Sequence, residues 1–345
     1  MSQLIETVKT LCRLSGPSGW EDAVRDYIRA EAAPYADELI VDPLGCVLVF
    51  RKGRRAPAKP VLLAAHMDEV GVVVKGIEDD GCLRFAFLGG VDRRVVIGKR
   101  VWLGKDRVPG VIGMKPVHLT TAEERKALPK LKDLYIDIGA KDGDEARTLV
   151  GLGDFGVFDD RVLALQNDML RVKAIDDRVG CAILLDLLKE EQPVDTWFAF
   201  TVQEEVGCRG AFGTAFRLEP GTAIVIEGTT AADGPTSVGA QKVCMPGHGP
   251  VVAFQDGGTI YDRGLFERIT RLADANGIPW QTKTRIAGGT DAQAIQRSRA
   301  GCRVGAISAA VRYIHSPSSV GCTRDFEQMA ALLRLLLADM EVNND

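Results

Sequence analysis

The stretch Trp197 to Gly207, W-F-A-F-T-V-Q-E-E-V-G, is an apolar run that ends in two adjacent carboxylates, Glu204 and Glu205. Its apolar half is typical of a β-strand that is buried on both faces. Paired acids have no packing role there, and in open α/β sheets ligands bind in the crevice at the carboxyl ends of the strands. Because neighbouring residues at a strand end point in different directions, we expect one glutamate to bind a metal ion and the other to act on water.

Four further polar sites take the same position, at the end of a predicted strand or in a loop that opens a helix. They are His66 after V-L-L-A-A, Asp176 before an apolar helix, Glu227 after A-I-V-I, and His315 after a strand at 307–313. Because such ends meet at one edge of a sheet, we expect these side chains to converge. Two imidazoles and several carboxylates can bind zinc or a similar divalent ion, and two ions if one carboxylate bridges them.

The order of the predicted elements indicates the fold. Strands and helices alternate through most of the chain, which favours an α/β fold with helices on both faces of a sheet. Between Gly71 and Leu165 the pattern changes to short apolar runs separated by Gly, Asp and Lys turns, with one short charged helix near residues 121–127. We interpret residues 71–165 as a β-rich domain inserted into a larger domain formed by residues 1–70 and 166–345.

Local signals predict three more features. Ser18 and Glu21 have the capping-box spacing for a helix that continues to about residue 33. Asp177 is a candidate N-cap for the apolar helix that follows it. Residues 279–285 have the apolar and polar pattern of a strand.

Composition limits the possible partners. The 345 residues are 46% hydrophobic and 26% charged, with a net charge of -4 and scattered basic residues, whereas nucleic-acid binding needs a concentrated basic face. No apolar segment approaches the roughly 20 residues that cross a bilayer, and the first residues lack a signal-peptide pattern. The eight cysteines form no C-x-x-C pair, which is typical of reduced thiols. We therefore expect a cytoplasmic protein that binds neither nucleic acid nor a membrane.

Five ordered motifs resemble those of the tetrahedral (TET) type of dinuclear-metal aminopeptidase. They are H-M-D-E-V-G at 66–71, K-A-I-D-D-R-V-G at 173–180, V-Q-E-E-V-G-C-R-G-A at 202–211, G-G-T-D-A at 288–292 and R-Y-I-H-S-P at 312–317. The family includes glutamyl, leucyl and lysyl aminopeptidases, and some members carry the label cellulase or endoglucanase. The resemblance covers essentially the whole chain.

The resemblance implies a fold and an assembly. The catalytic domain would have a central mixed sheet flanked by helices, of the zinc-peptidase type. The insert would be a barrel or PDZ-like dimerisation domain. Dimers would assemble into a hollow tetrahedral dodecamer.

Carried over position by position, the resemblance implies a role for each of seven residues. His66 and Glu227 would bind the first metal ion, Asp176 would bridge both ions, Glu205 and His315 would bind the second, Glu204 would be the general base, and Asp68 would orient the His66 imidazole. The ions would be zinc, with cobalt or manganese as alternatives for the same ligands. The family usually has an aspartate where this chain has Glu227, so Asp233 is the alternative ligand.

Three other polar residues have less defined roles. Asp291, in G-G-T-D, is a candidate either for binding the α-amino group of a substrate or for capping its helix. His118 and His248 do not follow the predicted strands and are assigned structural roles. The glycine-rich loop around His248 can nevertheless border a ligand site.

Two other functions stay open on the sequence. A glycoside hydrolase would use Glu204 and Glu205 as carboxylates roughly 5 to 9.5 Å apart, and would leave His66 and His315 unused. A metal-stabilised assembly protein would need the ligands but no general base. An aminopeptidase uses the whole set: two metal ions polarise the carbonyl of a short peptide and activate water, and Glu204 carries the proton.

Overall fold

The computed structural model describes residues 2–342 of the chain. The helices are α1 (Gln3–Arg13), α2 (Asp22–Ala32), α3 (Ala122–Lys126), α4 (Gly143–Leu149), α5 (Ile175–Leu188), α6 (Arg209–Leu218), α7 (Arg263–Ala275), α8 (Ala292–Gln296) and α9 (Thr323–Val342). The strands are β1 (Glu38–Val41), β2 (Val47–Arg51), β3 (Gly53–Arg55), β4 (Val61–His66), β5 (Gly71–Ile77), β6 (Leu83–Leu88), β7 (Arg100–Leu103), β8 (Val108–Met114), β9 (Leu134–Asp137), β10 (Phe155–Phe158), β11 (Leu163–Ala164), β12 (Met169–Val172), β13 (Gln192–Val194), β14 (Thr196–Thr201), β15 (Thr222–Thr230), β16 (Val251–Val252), β17 (Arg303–Val311) and β18 (Ser319–Cys322).

The largest sheet within residues 2–342 has seven strands in the order β1-β2-β14-β4-β15-β17-β16. Strands β14, β4, β15 and β17 run parallel at its centre. Strands β1, β2 and β16 lie at the margins and pair antiparallel. The central strands are buried along most of their length, which accounts for their continuous apolar sequences. The prediction of an α/β fold with a central mixed sheet flanked by helices is confirmed.

Helix α5 is the buried helix that its nearly continuous apolar sequence predicts. It contacts β4 and β15 and also packs against α1 and α9. The backbone is non-helical at Asp176 and Asp177, and the Asp177 carboxylate accepts the N–H of Gly180 at 3.0 Å. Asp177 therefore makes the predicted N-cap contact. Helices α6 and α8 pack against each other and contact β14, β15 and β17.

A closed barrel of six strands, β10-β5-β6-β9-β8-β7, lies between β4 and α5 in the described chain. Its inward-facing side chains, among them Val72, Phe85 and Ile136, form an apolar cluster separate from that of the large sheet. The short charged helix α3 begins after Thr121, which forms a capping box with Glu124. The β-rich character predicted for this region is therefore confirmed, and we retain residues 71–165 as the proposed inserted domain.

The capping box predicted at Ser18 and Glu21 is wrong. Helix α2 begins at Asp22, and its N-cap residue makes no side-chain cap hydrogen bond. The Ser18 hydroxyl instead donates to Asp68 at 2.6 Å, and the Glu21 carboxylate accepts the N–H of Gln203 at 3.1 Å. Both side chains form hydrogen bonds with residues far away in the sequence. A rule based on local spacing does not detect such bonds.

The strand predicted at residues 279–285 is also wrong. Only one residue of this segment, Gln281, forms a bridge, with Val251. Its side-chain amide donates to the carbonyl groups of Met245 and Gly249 at 2.8 and 3.0 Å. The segment is therefore held as a loop by side-chain hydrogen bonds and not by strand pairing.

The cysteines and the helices give two further observations. All eight cysteines are free thiols, and six of them are buried. No helix within residues 2–342 is long and apolar enough to cross a membrane.

Candidate metal centre

The polar residues predicted from the sequence meet at the carboxyl edge of the parallel strands. Strands β14, β4, β15 and β17 lie side by side, so their ends face one crevice. His66 is the last residue of β4, Glu204 and Glu205 follow β14, and His315 follows β17. Glu227 differs slightly from the prediction, because it lies inside β15 and not beyond its end.

Asp176 lies between two imidazole groups. Its Oδ1 is 3.3 Å from Nε2 of His66, and its Oδ2 is 3.3 Å from Nε2 of His315. Oε2 of Glu227 lies 3.6 Å from the His66 nitrogen, and Oε2 of Glu205 lies 3.2 Å from the His315 nitrogen. Asp176 therefore lies between a pair formed by His66 and Glu227 and a pair formed by His315 and Glu205. The Asp177 carboxylate also lies within 4.8 Å of ligand atoms of His66 and Glu227.

The carboxylates of the centre are buried close to one another. Burial raises the pKa of Glu204 to about 7 and that of Glu205 to about 8, against the opposing effect of the neighbouring imidazoles. Burial also raises the pKa of Glu227 well above its usual range. Burial lowers the pKa of His315, but its hydrogen bond with Asp176 and the negative charges of the neighbouring carboxylates together raise it by more, to about 9. Negative charges this close repel each other, and a bound cation relieves that repulsion.

The donor set fits divalent cations. Oε1 of Glu227 is buried and has no hydrogen-bond partner within residues 2–342. A buried carboxylate oxygen without a partner is costly, and coordination to a metal ion satisfies it. Imidazole nitrogens and carboxylate oxygens are ligands that zinc, cobalt and manganese all accept.

Asp68 contacts both His66 and the backbone of the two glutamates that follow β14. Its fully buried carboxylate lies 3.4 Å from Nδ1 of His66. The same carboxylate accepts the N–H groups of Glu204 at 2.9 Å and Glu205 at 3.1 Å, as well as the Ser18 hydroxyl. Burial raises the pKa of Asp68, but its hydrogen bond with His66 and its other contacts lower it by more. The sequence predicts only the contact with His66; the others depend on tertiary structure.

Asp291 does not cap α8, so that prediction is wrong. Its side chain makes no cap hydrogen bond and instead accepts the hydroxyl of Thr201. Its carboxylate lies within 4.8 Å of ligand atoms of Glu204 and Cys208, and its buried Oδ1 has no partner in the described chain. Burial raises its pKa to about 6. Cys208 has no role predicted from the sequence. The structure shows that it packs beside Glu204 and Asp291.

Asp233 lies in an ion pair and not beside the imidazoles. Its Oδ1 accepts a hydrogen bond from Nε of Arg312 at 2.7 Å. This hydrogen bond lowers the pKa of Asp233. Of the two alternative carboxylates, Glu227 is therefore the one that the fold brings next to His66.

His118 and His248 are both exposed to solvent. The loop around His248 is held by Asp325, which accepts the N–H groups of Gly247 and Gly249. Neither histidine lines the cavity beside the carboxylates.

A buried ion-pair cluster supports the centre. Glu69 accepts hydrogen bonds from Nζ of Lys173 at 2.7 Å and from Nη2 of Arg178 at 3.1 Å. Both basic side chains also donate to backbone carbonyl groups in the last turn of α1 and in the segment that follows it. Because Glu69 belongs to the motif of His66, and the two basic residues to the motif of Asp176, the cluster fixes the two segments relative to each other. The sequence contains both motifs but does not reveal this pairing.

A cavity of about 300 Å³ opens beside the carboxylates. Its lining includes Asp176, Glu204, Glu227 and His315, together with Asp256, Tyr261 and Lys283. Its volume lies at the lower end of the range for small-molecule sites. A second cavity, of about 250 Å³ near Lys59 and Arg303, has no imidazole or carboxylate in its lining. The first cavity is therefore the one that can present a small substrate to the centre.

An α/β fold with a cluster of imidazoles and carboxylates beside a small cavity is an arrangement typical of metal-dependent hydrolases. Comparison with known families gives the particular group. The chain belongs to the family described as M42 glutamyl aminopeptidase, whose sequence model matches residues 45–332. The resemblance drawn from the five motifs is confirmed, and aminopeptidase activity is the activity of this family.

Individual relatives agree with this assignment over nearly the whole chain. The sequence is 31% identical over 350 residues to the glutamyl aminopeptidase of Lactococcus lactis, covering 98% of this chain and 97% of that protein. The fold is similar to that of an aminopeptidase from the archaeon Desulfurococcus kamchatkensis, with a TM-score of 0.92, 36% identity, and 98% and 95% of the two chains covered.

A third relative is the TET1 peptidase of Pyrococcus horikoshii. It has a TM-score of 0.85 and 34% identity, and 97% and 99% of the two chains are covered. That peptidase is described as able to assemble into a tetrahedron or a large octahedral shell.

Proposed function

We propose that this protein is a metal-dependent aminopeptidase that removes N-terminal residues from short peptides and uses two divalent ions per subunit. The observation that carries the proposal is Asp176, which directs a different oxygen at His66 and at His315, 3.3 Å from each Nε2. A carboxylate that bridges two ions requires such a position. Glu227 would complete the first group of ligands and Glu205 the second. Zinc is the expected ion, with cobalt or manganese as alternatives.

Two such ions, when bound, polarise the substrate carbonyl and lower the pKa of water. The residues of the chain hold the reactants and move the proton. Glu204 lines the cavity, where a carboxylate can accept a proton and return it. We assign it the role of general base, which takes a proton from the attacking water and delivers it to the leaving amine. The hydrogen bond from its N–H to Asp68 fixes its position.

The size of the cavity supports an exopeptidase. A cavity of about 300 Å³ has room for an N-terminal residue. The carboxylates of the centre offer a favourable environment for the positively charged α-amino group. A free N-terminus would thus be bound next to the bond that is cleaved.

Each of the two alternative functions leaves some residues of the site without a role. A glycoside hydrolase would pair Glu204 with Glu205, but Glu205 lies against His315 and the imidazoles would have no role. A non-catalytic assembly protein would have no use for Glu204 at the cavity wall.

Removal of the metal ions is expected to abolish hydrolysis of aminoacyl arylamides. The reason is that the carboxylates and imidazoles of the centre cannot polarise a carbonyl without a Lewis acid. The protein is dialysed against a chelator, assayed, and then reconstituted separately with zinc, cobalt and manganese, with the metal content measured by mass spectrometry. Full activity should return near two equivalents per chain. Activity that survives complete metal removal contradicts the proposal, and a glucan substrate assayed in parallel tests the glycosidase alternative.

We also propose that the chain assembles through its barrel into dimers, and that dimers form a tetrahedral dodecamer. The similarity to the TET1 peptidase supports this, and so do apolar side chains exposed around the barrel, such as Val117 and Leu119. Sedimentation velocity under native conditions is expected to give a mass many times that of the 37.3 kDa chain. A lone monomer contradicts the assembly, and a dimer supports only its first step.

A further inference from the structure

Cys208 lies beside two carboxylates at the start of α6. Its sulfur, an oxygen of Glu204 and an oxygen of Asp291 all lie within 4.8 Å of one another. Sγ of Cys208 is 3.4 Å from Oε1 of Glu204, and the residue is 4% exposed. The imidazoles and carboxylates around Asp176 include no sulfur. Cys208, Glu204 and Asp291 therefore form a separate group of ligand atoms, which we call the Cys208 cluster.

Asp291 contributes a buried oxygen that has no partner. The residue is fully buried, and its Oδ2 accepts the hydroxyl of Thr201. Oδ1 has no hydrogen-bond partner within residues 2–342. A buried carboxylate oxygen in this state is costly. A cation bound in the Cys208 cluster would satisfy it.

The surroundings of the sulfur suit a thiolate that binds a cation. The side-chain amide of Gln293 donates to Sγ of Cys208 at 3.1 Å, and Cys208 is the N-cap residue of the ten-residue helix α6. Both an amide donor and a helix N-terminus favour negative charge on sulfur. Burial and the charges of Asp291 and Glu204 raise the pKa of the free thiol. The thiolate therefore forms when a cation takes the place of the proton.

The Cys208 cluster adjoins the cavity of the metal centre. Glu204 and Thr290 line that cavity, and the carbonyl oxygen of Thr290 is 3.4 Å from Sγ of Cys208. An ion in the cavity thus reaches the sulfur past Glu204. One thiolate with two carboxylates is a ligand set for zinc or cadmium, since soft sulfur ligands disfavour magnesium and calcium. Three protein ligands leave the fourth position of a tetrahedral ion to water.

We propose that the Cys208 cluster is a third cation site, which binds zinc, cadmium or a similar thiophilic divalent ion and thereby inhibits the protein. The S–H bond of Cys208 breaks, its proton leaves to solvent, and a sulfur–metal bond forms without any oxidation. The ion engages the Glu204 carboxylate, which can then no longer take a proton from water. Binding of the ion is independent of the proposed aminopeptidase function, whereas the inhibition rests on it.

This third ion is expected to bind more weakly than the two ions of the metal centre. It has three protein ligands, and it must displace a proton from a buried thiol. Dialysis should therefore remove it and leave two ions per chain.

Cobalt tests the binding. Protein that holds two equivalents of cobalt after dialysis is titrated with more cobalt, and a thiolate-to-cobalt charge-transfer absorption is expected to appear in the near ultraviolet. Because the metal centre offers only imidazoles and carboxylates, this absorption reports a thiolate site alone. Both Cys208→Ala and Cys208→Ser should lose it. The serine variant keeps the size of the side chain, but its hydroxyl is a poor ligand for a soft ion.

Cys82 provides a matched control. It is a free, partly exposed thiol whose N–H donates to Asp80, but it belongs to none of the groups of three possible ligand residues in the described chain. Cys82→Ala is expected to retain the full absorption. Loss of the absorption in Cys82→Ala and not in Cys208→Ala would mean that cobalt binds thiols outside the Cys208 cluster.

Zinc tests the inhibition. Excess zinc is expected to lower hydrolysis of an aminoacyl arylamide by the unmodified protein at least about tenfold, because loss of a general base costs at least that much. Each variant is compared with its own activity at two equivalents of zinc. Half-inhibition of Cys208→Ala should need at least about tenfold more zinc, comparable to the loss of a group that supports a metal ligand.

Each other outcome has a defined meaning. The inference is overturned if the unmodified protein shows no charge-transfer absorption, or if Cys208→Ala retains it. Activity that excess zinc leaves unchanged, or inhibition that is equal in Cys208→Ala, overturns the inhibitory role. A protein that shows the Cys208-dependent absorption but cleaves no arylamide at two equivalents of zinc keeps the third cation site, and the proposed aminopeptidase function alone fails.

Discussion

Replacing Glu204 by glutamine is expected to lower turnover by about two to four orders of magnitude, the usual contribution of general acid–base catalysis. Glutamine has nearly the same shape but cannot accept a proton at neutral pH. Glu204 makes no contact with the imidazoles in the way that Asp176 and Glu205 do. The metal content of Glu204→Gln should therefore equal that of the unmodified protein. Steady-state kinetics and metal analysis on the same preparation check both expectations.

The adjacent glutamate is the matched control for this variant. Glu205→Gln makes the same chemical change one residue away, but Oε2 of Glu205 lies 3.2 Å from His315 and belongs to a ligand group. Glu205→Gln is therefore expected to lose metal from the second group, and its activity should partly return at high metal concentration. A Glu204→Gln protein with normal turnover would exclude the general base and favour the non-catalytic assembly protein.

Replacing Asp176 by asparagine is expected to weaken the binding of both metal ions and to reduce activity to the background level. The two oxygens of Asp176 face different imidazoles, so a single substitution damages both ligand groups. Loss of a partner that only supports a ligand costs about 10- to 100-fold in metal affinity, and a bridging ligand should cost at least as much. Metal content after dialysis, and activity titrated with added metal, measure the effect.

Asp233→Asn is the control for Asp176→Asn. Asp233 was the alternative ligand from the sequence, but it pairs with Arg312. Its substitution is expected to leave the metal content unchanged. If Asp233→Asn lost metal while Asp176→Asn retained it, the ligand assignment would be wrong.

The agreement between sequence and structure is strongest where burial leaves a periodic or continuous pattern. The parallel strands β4, β14, β15 and β17 are apolar along their length because both of their faces are covered, and each was recognisable for that reason. The errors at Ser18 with Glu21 and at residues 279–285 have the opposite cause. There, side-chain hydrogen bonds to distant residues decide the local structure.

The family, the α/β class and the set of polar residues that follow the buried strands could all be predicted from the amino-acid sequence. These depend on short motifs and on local patterns of burial. Which side chains meet depends on the folded chain, which places Asp176 between the two imidazoles and Glu227, instead of Asp233, beside His66. The physical reason is the strand order β14-β4-β15-β17, which does not follow the chain and joins residues that lie far apart in the sequence.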